Sequence, residues 1–127
     1  MFTLDEIRHQ DELILGCAAN DILGLLPSRL SQKILTWVEN TPRAPALHGI
    51  NQQLNYAELG GAVSEAKVWL QQHGVRAGDR VMLVAENSIT LMCLFLALSE
   101  LDAIAAVINA RLSDREIDLI ALDCDPR

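Results

Sequence analysis

Few side chains in this 127-residue sequence are spaced as catalytic or metal-binding sites require. The run His9-Gln10-Asp11-Glu12 could place an imidazole and a carboxylate on one turn of a helix. A zinc site needs at least one further ligand, and the neighbouring sequence offers none. His48 is likewise a lone histidine with no partner in the sequence around it. We therefore interpret the first run as surface charge and assign His48 no ligand role.

A second candidate is the run Gly78-Asp79-Arg80, which precedes a strongly apolar segment. An Asp-Arg pair could hold a ligand, but ligands of open α/β sheets bind beyond the C-terminal ends of the strands. This run lies before its strand. The favoured interpretation is structural, because Gly78 supplies a turn of positive φ, Asp79 bonds nearby backbone and Arg80 begins the strand.

Two polar loops follow the predicted strands and are better placed for a ligand. Glu86-Asn87-Ser88 comes after the first strand, and Asn109-Ala110-Arg111 comes after the second. If the chain touches a ligand, these loops are where the ligand binds. Even here, the favoured role of Asn87 or Ser88 is to cap the helix that begins after them.

The sequence lacks the motifs that identify common active sites. It contains neither G-x-x-x-x-G-K-[ST] nor G-x-G-x-x-G, and it has no G-x-S-x-G elbow. We therefore predict no catalytic, cofactor-binding or metal-binding residue in the chain. Composition and pattern alone do not define an activity.

A predicted strand–helix–strand unit over residues 76–112 positions these loops. Residues 81–85 and 103–108 are apolar runs of strand length, and residues 89–101 between them form an apolar helix. The spacing fits one βαβ crossover of about 30 residues. Neither strand alternates polar and apolar side chains, which is typical of parallel strands covered on both faces.

The predicted fold class is therefore α/β, with a small parallel sheet built on the βαβ unit, flanking helices and an N-terminal β-hairpin. We predict a helix over residues 4–26, whole or in two pieces, which Pro27 ends. Ser28 is the predicted N-cap of the next helix. The hairpin spans residues 46–54 around a Gly-Ile-Asn turn. Two capping boxes begin later helices, Asn55 with Glu58 and Ser113 with Glu116.

Helical spacing predicts which apolar side chains face the core. Gly74 is the predicted left-handed residue after the third helix. The core-facing positions are Leu30, Ile34, Trp37 and Val38 in the second helix, Leu59, Ala62, Val63, Ala66 and Leu70 in the third, and Ile117, Ile120, Ala121 and Cys124 in the last.

Composition excludes several classes of protein. Half of the residues are hydrophobic and the net charge is −7, so the chain is globular and disfavours nucleic acid. Cys17, Cys93 and Cys124 are odd in number and widely spaced, which indicates a reducing compartment. The N-terminus carries acids before its apolar run, unlike a secretory signal. The longest apolar stretch is too short to span a bilayer. We expect a cytoplasmic protein.

Five short motifs resemble those of the adenylate-forming enzymes, in the order and at the spacing of that superfamily. It includes acyl-CoA synthetases, luciferases and the adenylation domains of peptide synthetases. Residues 54–59 resemble L-[TS]-Y-x-E-L, residues 74–81 resemble G-[VI]-x-x-G-D-x-V, and residues 86–88 resemble [PE]-N-[SC]. Residues 103–112 and 113–117 resemble G-A-x-x-x-P-[LI]-N-x-R-L and the T-x-x-E-[LI] that follows it.

The resemblance covers about residues 28 to 126. It implies a partial N-terminal subdomain of the adenylate-forming fold over residues 28–127, preceded by a helical segment over residues 1–27. Asp102 stands where the family usually has Gly, and Val107 and Ala110 stand where it often has Pro. Asp tolerates a left-handed conformation better than most residues, so Asp102 can be accommodated.

The resemblance also implies a reaction. In the family, a carboxylate attacks the α-phosphate of ATP to give an acyl-adenylate and pyrophosphate, and the thiol of CoA then displaces AMP. ATP, Mg and CoA are thus implied for the full-length family. The family's phosphate loop, its adenine and ribose motifs and its C-terminal domain with the adenylation lysine all come later than this sequence. No family catalytic residue can therefore be assigned to this chain.

We expect the chain to be the N-terminal portion of an acyl-CoA synthetase, inactive alone. Residues 108–112 favour that branch, because peptide synthetases usually have Asp where Asn109 stands. The alternatives are a non-catalytic α/β interaction module and a fragment of an amino-acid adenylation domain. The expected partners are the remainder of the parent enzyme, or a second copy bound through a sheet edge that the family's next strand, after Pro126, would otherwise pair.

Overall fold

The computed structural model describes residues 13–14 and 17–127, with side chains described from Ile22 onward. Helices of the described residues all fall short of the length and apolar character that a membrane span requires. In chain order the elements are β1 (Leu13–Ile14), β2 (Cys17–Ala18), α1 (Ala19–Leu25), α2 (Leu30–Asn40), β3 (Pro45–His48), β4 (Gln53–Asn55), α3 (Tyr56–Gln72), β5 (Arg80–Ala85), α4 (Ile89–Glu100), β6 (Ile104–Asn109) and α5 (Asp114–Cys124).

The parallel pair β5–β6 is joined by α4, as the sequence predicted. The register runs without interruption from Arg80 opposite Ile104 to Ala85 opposite Asn109. Parallel neighbours require a crossover connection, and α4 supplies it. The predicted βαβ unit and the α/β fold class are confirmed, with each boundary within one residue of the expected position. The predicted hairpin is confirmed as the antiparallel pair β3–β4.

The core lies where α3 and α4 pack together against the sheet. Leu98 and Ala97 are completely buried, and Leu59 is 1% exposed. Cys93 is among the buried residues of this core. The buried apolar residues of the core are Leu59, Val63, Leu70, Leu83, Leu91, Cys93, Leu96, Ala97 and Leu98.

Helix α2 approaches α3 closely at one glycine. A Cβ atom placed on Gly60 would lie 3.1 and 3.2 Å from the two γ-methyl carbons of Val38. The next glycine, Gly61, has nothing within 4 Å of the same position. Gly60 therefore lets Val38 rest on the backbone of α3, whereas Gly61 faces open space.

Both predicted capping boxes are confirmed. The Asn55 side chain accepts a hydrogen bond from the Glu58 N–H at 2.8 Å, and the Asn55 N–H donates to Glu58 Oε2 at 2.8 Å. Ser113 and Glu116 make the same reciprocal bonds at the start of α5. These bonds satisfy N–H groups that the first turn of a helix leaves without partners. Gly74 adopts a φ of +83°, also as predicted.

The predicted N-cap of α2 is wrong by one residue. Arg29 holds that position in an extended conformation and makes no side-chain capping bond. Ser28 instead accepts a hydrogen bond from Gln32 Nε2 at 3.1 Å. Arg29 is fixed by its guanidinium, which binds both carboxylate oxygens of Asp102 at 2.6 and 2.5 Å. This contact joins the residue before α2 to the turn between α4 and β6.

The predicted helix over residues 4–26 is only partly confirmed. Residues 19–25 form α1, but β1 and β2 pair as a short antiparallel ladder, with Leu13 opposite Ala18. The physical reason is Gly16 between the two strands, because glycine disfavours a helix interior. The predicted helical residues 4–12 lie outside the described residues.

Two predicted core positions of α2 are wrong, and the sheet is less covered than expected. Leu30 is 57% exposed, and Trp37 is half exposed and stacks on Tyr56 with ring centroids 6.0 Å apart. Ile34 packs against the core as predicted.

The prediction that both faces of the parallel sheet are covered is wrong, because Ile104 and Val107 remain about half exposed. Strands buried on one side still read as continuous apolar runs.

Candidate functional site

An open cleft lies at the C-terminal ends of β5 and β6. It encloses about 520 Å³. The two polar loops that the sequence predicted for a ligand come together here, because parallel strands end at the same edge of a sheet. The cleft is lined by Ala85, Glu86, Asn87, Val107, Ile108, Asn109 and Arg111.

The charged groups of the cleft face one another across the two loops. Arg111 Nε lies 3.6 Å from Glu86 Oε1. Asn109 Oδ1 accepts a hydrogen bond from the Arg111 N–H at 2.9 Å, which shapes the second loop as an Asx turn. The cleft therefore offers a guanidinium, a carboxylate and amides. These groups can orient a polar ligand by hydrogen bonds and charge, but they do not form a nucleophile–base pair.

The first loop also performs the structural role predicted for it. Ser88 is the N-cap of α4, and its Oγ accepts a hydrogen bond from the Leu91 N–H at 3.1 Å. Ser88 is thereby fixed by the helix. Asn87 is the first-loop amide that faces the cleft.

A second, wider groove runs beside the cleft, between the tip of the β3–β4 hairpin and the start of α4. It encloses about 690 Å³, and His48, Ile50, Asn87 and Met92 are among the residues that line it. Ile50 at the hairpin tip is fully exposed. The two depressions share Asn87, so a ligand of sufficient length could contact both.

The turn Gly78-Asp79-Arg80 lies at the opposite end of β5 from the cleft. Gly78 has a φ of +83°, and Asp79 Oδ2 accepts a hydrogen bond from the Arg76 N–H at 2.8 Å. The structural interpretation of this turn is confirmed. The sequence did not reveal that Asp79 also binds Arg127, whose Nη1 lies 3.0 Å from Asp79 Oδ2.

Asp102 adopts the left-handed conformation that the family fills with glycine. Its φ is 54°. The bidentate contact with Arg29 lies directly beside it, so the carboxylate that replaces glycine ties the α4–β6 turn to the start of α2. The feature of the sequence that could have suggested this contact is the aspartate at position 102, where the family usually has glycine.

Three carboxyl groups have lowered pKa values, each because donors hold the charged form. The pKa of Asp79 is lowered first by the Arg76 N–H and then by Arg127. A hydrogen bond and the charge of Arg29 lower the pKa of Asp102. Bonds from the Ser113 hydroxyl and N–H lower the pKa of Glu116. The ionised forms of all three are therefore favoured in the folded state.

These carboxyl groups predict a loss of stability in acid. Their ordinary pKa values are 3.8 for the aspartates and 4.5 for Glu116, and folding lowers each of them. Below those values the unfolded chain binds more protons than the folded one, so the free energy of unfolding decreases as pH falls. We expect a plateau above about pH 5 and a decline below about pH 4 in urea titrations. Asp79→Asn should flatten the decline; a profile equal to that of the parent protein would contradict this assignment.

Metal and nucleotide chemistry finds little support in the residues present. The histidine–carboxylate run at residues 9–12 lies outside the described residues. Among the rest, no three His, Cys, Asp or Glu side chains converge as a metal site. The one arginine that lines the cleft already contacts Glu86, and the sequence has no phosphate loop. These residues do not fit a site for ATP and Mg on their own.

Residues 34–127 match the model of the AMP-binding family, described as "AMP-binding enzyme". The chain belongs to that family. It is similar to Long-chain-fatty-acid--CoA ligase FadD13 of Mycobacterium tuberculosis, with 34% identity over 71 residues, covering 56% of this chain and 14% of the ligase. Nonribosomal peptide synthetase GRA1 of Gibberella zeae is 31% identical over 94 residues, covering 74% of this chain and 1% of the synthetase.

Solved structures of AMP-binding enzymes share the fold. The inhibitor-bound N-terminal domain of FACL13 from Mycobacterium tuberculosis superposes with a TM-score of 0.74 at 27% identity, covering 77% of this chain and 25% of that domain. VinN superposes with a TM-score of 0.76 at 19% identity, which shows the fold alone. This chain therefore spans about a quarter of those structures and 15% or less of the curated relatives named in this article. The predicted adenylate-forming fold is confirmed.

Proposed function

We propose that this chain is the N-terminal portion of an ATP-dependent acyl-CoA synthetase and that it acts as scaffold rather than catalyst. The observation that supports the proposal is the extent of the family match. It covers residues 34–127 of this chain but only a small part of each relative. Residues 28–127 then form part of the N-terminal subdomain, and residues 1–27 precede it. The odd, widely spaced cysteines favour a cytoplasmic location.

The preference for acyl-CoA chemistry rests on relatives and on the second loop. FadD13 and a 3-hydroxybenzoate--CoA ligase of Aromatoleum are both CoA ligases by name. Asn109 uses only its Oδ1 atom to hold the Arg111 N–H. An aspartate could make the same bond, so the neutral amide matters for charge rather than shape. With Asn109 the cleft contains one carboxylate and one guanidinium. An aspartate at this position would give it two carboxylates beside the same guanidinium.

The second candidate is a fragment of an amino-acid adenylation domain. It is favoured by GRA1, whose match extends over 74% of this chain, against 56% for FadD13. Both candidates share the formation of an acyl-adenylate and differ in the carboxylate and in the final acceptor. The coding sequence beyond Arg127 separates them, followed by assay of the encoded protein with CoA and carboxylates or with amino acids.

We expect the isolated chain to be unable to form an adenylate. The physical reason is that one paired arginine cannot hold the triphosphate of ATP. Attack of a carboxylate on the α-phosphorus, with pyrophosphate leaving, requires several donors and a cation around the reacting phosphate. The measurement is ATP–pyrophosphate exchange with a panel of fatty, aromatic and amino acids, using a complete acyl-CoA ligase as positive control. Exchange by the chain well above a heat-denatured sample would overturn the proposal of a scaffold.

A further inference from the structure

Helix α5 presents an apolar patch to solvent. Its inner side chains, at positions 117, 120, 121 and 124, are partly buried, whereas Leu119 is 58% exposed and Leu122 is 79% exposed. Residues three apart are neighbours on a helix surface, so the two leucines form one patch. Among the described residues, neither leucine belongs to the core or packs against it. Exposed apolar side chains that adjoin one another and are rimmed by polar groups are typical of interaction sites.

Carboxylates border this patch on both sides. At about 100° of rotation per residue, the two leucines lie about 60° apart around the helix axis, and an aspartate lies about 40° beyond each of them. These are Asp118, beside Leu122, and Asp123, beside Leu119, and both are exposed. Within residues 22–127, neither carboxylate takes part in an ion pair. The outer face of α5 is therefore apolar along its centre and negatively charged along both edges.

The charge of this face distinguishes among possible occupants. Helix α5 carries four acidic side chains and one basic side chain, and the whole chain has a net charge of −7. A second copy bound through the same face would bring like charges together. The phosphates of a nucleic acid or of an anionic bilayer would be repelled for the same reason. A polypeptide with basic side chains on both sides of an apolar stripe complements the face in charge and in hydrophobicity.

We propose that the outer face of α5 is a docking surface for a basic amphipathic helix of a partner protein. Leu119 and Leu122 pack against the apolar stripe of that helix, and Asp118 and Asp123 pair with its lysine or arginine side chains. Charges that flank an apolar seam between two helices set the choice and orientation of the partner. None of these four residues lines the cleft at the ends of β5 and β6. The inference therefore does not rest on the proposed function.

The test is an NMR titration of the isotope-labelled chain with a synthetic peptide made of two consecutive Leu-Lys-Lys-Leu-Leu-Lys-Leu repeats. As a helix, this peptide has leucines on one side and lysines on the other. We expect chemical-shift changes at the backbone amides of α5, with a dissociation constant of about 10–100 µM for so small an interface. The control peptide has glutamate in place of each lysine. It keeps the apolar stripe but reverses the charge, so we expect no binding at the same concentrations.

The apolar contribution is tested by Leu119→Ala together with Leu122→Ala. Both side chains are exposed in the free chain, so the fold should be kept, which far-UV circular dichroism checks. We expect the dissociation constant to rise by about tenfold, because two leucines no longer bury apolar surface against the peptide. The matched control is Leu25→Ala with Leu30→Ala, at exposed leucines outside α5, which should leave the dissociation constant within about twofold.

The charged contribution is tested by Asp118→Asn together with Asp123→Asn. We expect binding to weaken by about fivefold at low salt and by less at high salt, because exposed ion pairs are weak and are screened. The matched control is Glu39→Gln with Glu65→Gln, which makes the same change of net charge at exposed positions of α2 and α3. It should leave the affinity within about twofold, since these carboxylates lie away from the docking surface.

Several results would overturn the inference. These are shift changes confined to elements other than α5, equal binding of the glutamate peptide, and equal losses from the α5 variants and their matched controls. The last result would indicate general attraction to an acidic protein. Shift changes at α5 when the chain is diluted without peptide would assign the face to a second copy instead. None of these measurements involves ATP, so failure here is distinct from failure of the pyrophosphate exchange assay.

Discussion

Leu98→Ala is expected to lower the free energy of unfolding by about 2–5 kcal/mol, the usual range for truncating a buried leucine. Leu98 is completely buried in α4, at the centre of the core that α3, α4 and the sheet share. Removing its isobutyl group loses transfer free energy and leaves a cavity that rigid neighbours cannot fill. Urea denaturation followed by far-UV circular dichroism measures the change. Because small domains have total stabilities of about 5–15 kcal/mol, the variant should be severely destabilised.

The control for this prediction is Leu122→Ala, the same substitution on an exposed helix face. Leu122 in α5 is 79% exposed, so its truncation should change the free energy of unfolding by less than about 0.5 kcal/mol. Similar losses in the two variants would show that the core does not lie between α3 and α4. A large loss at Leu122 alone would mean that α5 is covered in solution.

Gly61→Ala should stabilise the protein more than Gly60→Ala, although they are the same substitution at neighbouring positions of α3. At Gly61 the new methyl group meets open space, so the gain in helix propensity should stabilise the protein by about 0.5–1 kcal/mol. At Gly60 the methyl group would stand 3.1 Å from a methyl of Val38. Crowding costs of about 1–3 kcal/mol then oppose the same gain in propensity, so we expect no stabilisation or a net loss.

A double variant identifies the cause of that loss. Val38→Ala should remove most of the collision, so Gly60→Ala should cost much less in the Val38→Ala background than in the parent protein. The readout is again the free energy of unfolding from urea titrations. Equal costs in the two backgrounds, or stabilisation by Gly60→Ala alone, would contradict the close approach of α2 to α3.

Local signals in the sequence predicted the centre of the fold. The βαβ unit was found because its strands and helix are long apolar runs separated by polar loops, and the capping boxes because their partners are three residues apart. The features that the sequence did not predict depend on contacts between residues far apart in the chain. Arg29, the N-cap residue of α2, binds Asp102, which lies 73 residues away. No local pattern can reveal such a contact.

The location of the candidate site could be predicted from the sequence, but its side-chain contacts could not. A general rule about parallel strands placed the two polar loops together, and the structure confirms that they share one cleft. The rule gives the place but not the geometry. The contact of Glu86 with Arg111 depends on how far each loop projects beyond the sheet. Likewise, the pairing of Asp79 with Arg127 joins residues 48 apart, so the turn looked purely local in the sequence.

The ion pair between Arg29 and Asp102 makes the effects of substitutions at the two positions interdependent. A chain with glycine at position 102 could exchange Arg29 freely, because glycine adopts the left-handed turn without help. Once aspartate occupies that turn, at a φ of 54°, losing Arg29 leaves the strained backbone without its compensating contact. The order of substitution therefore matters, and effects measured singly at the two positions should not add.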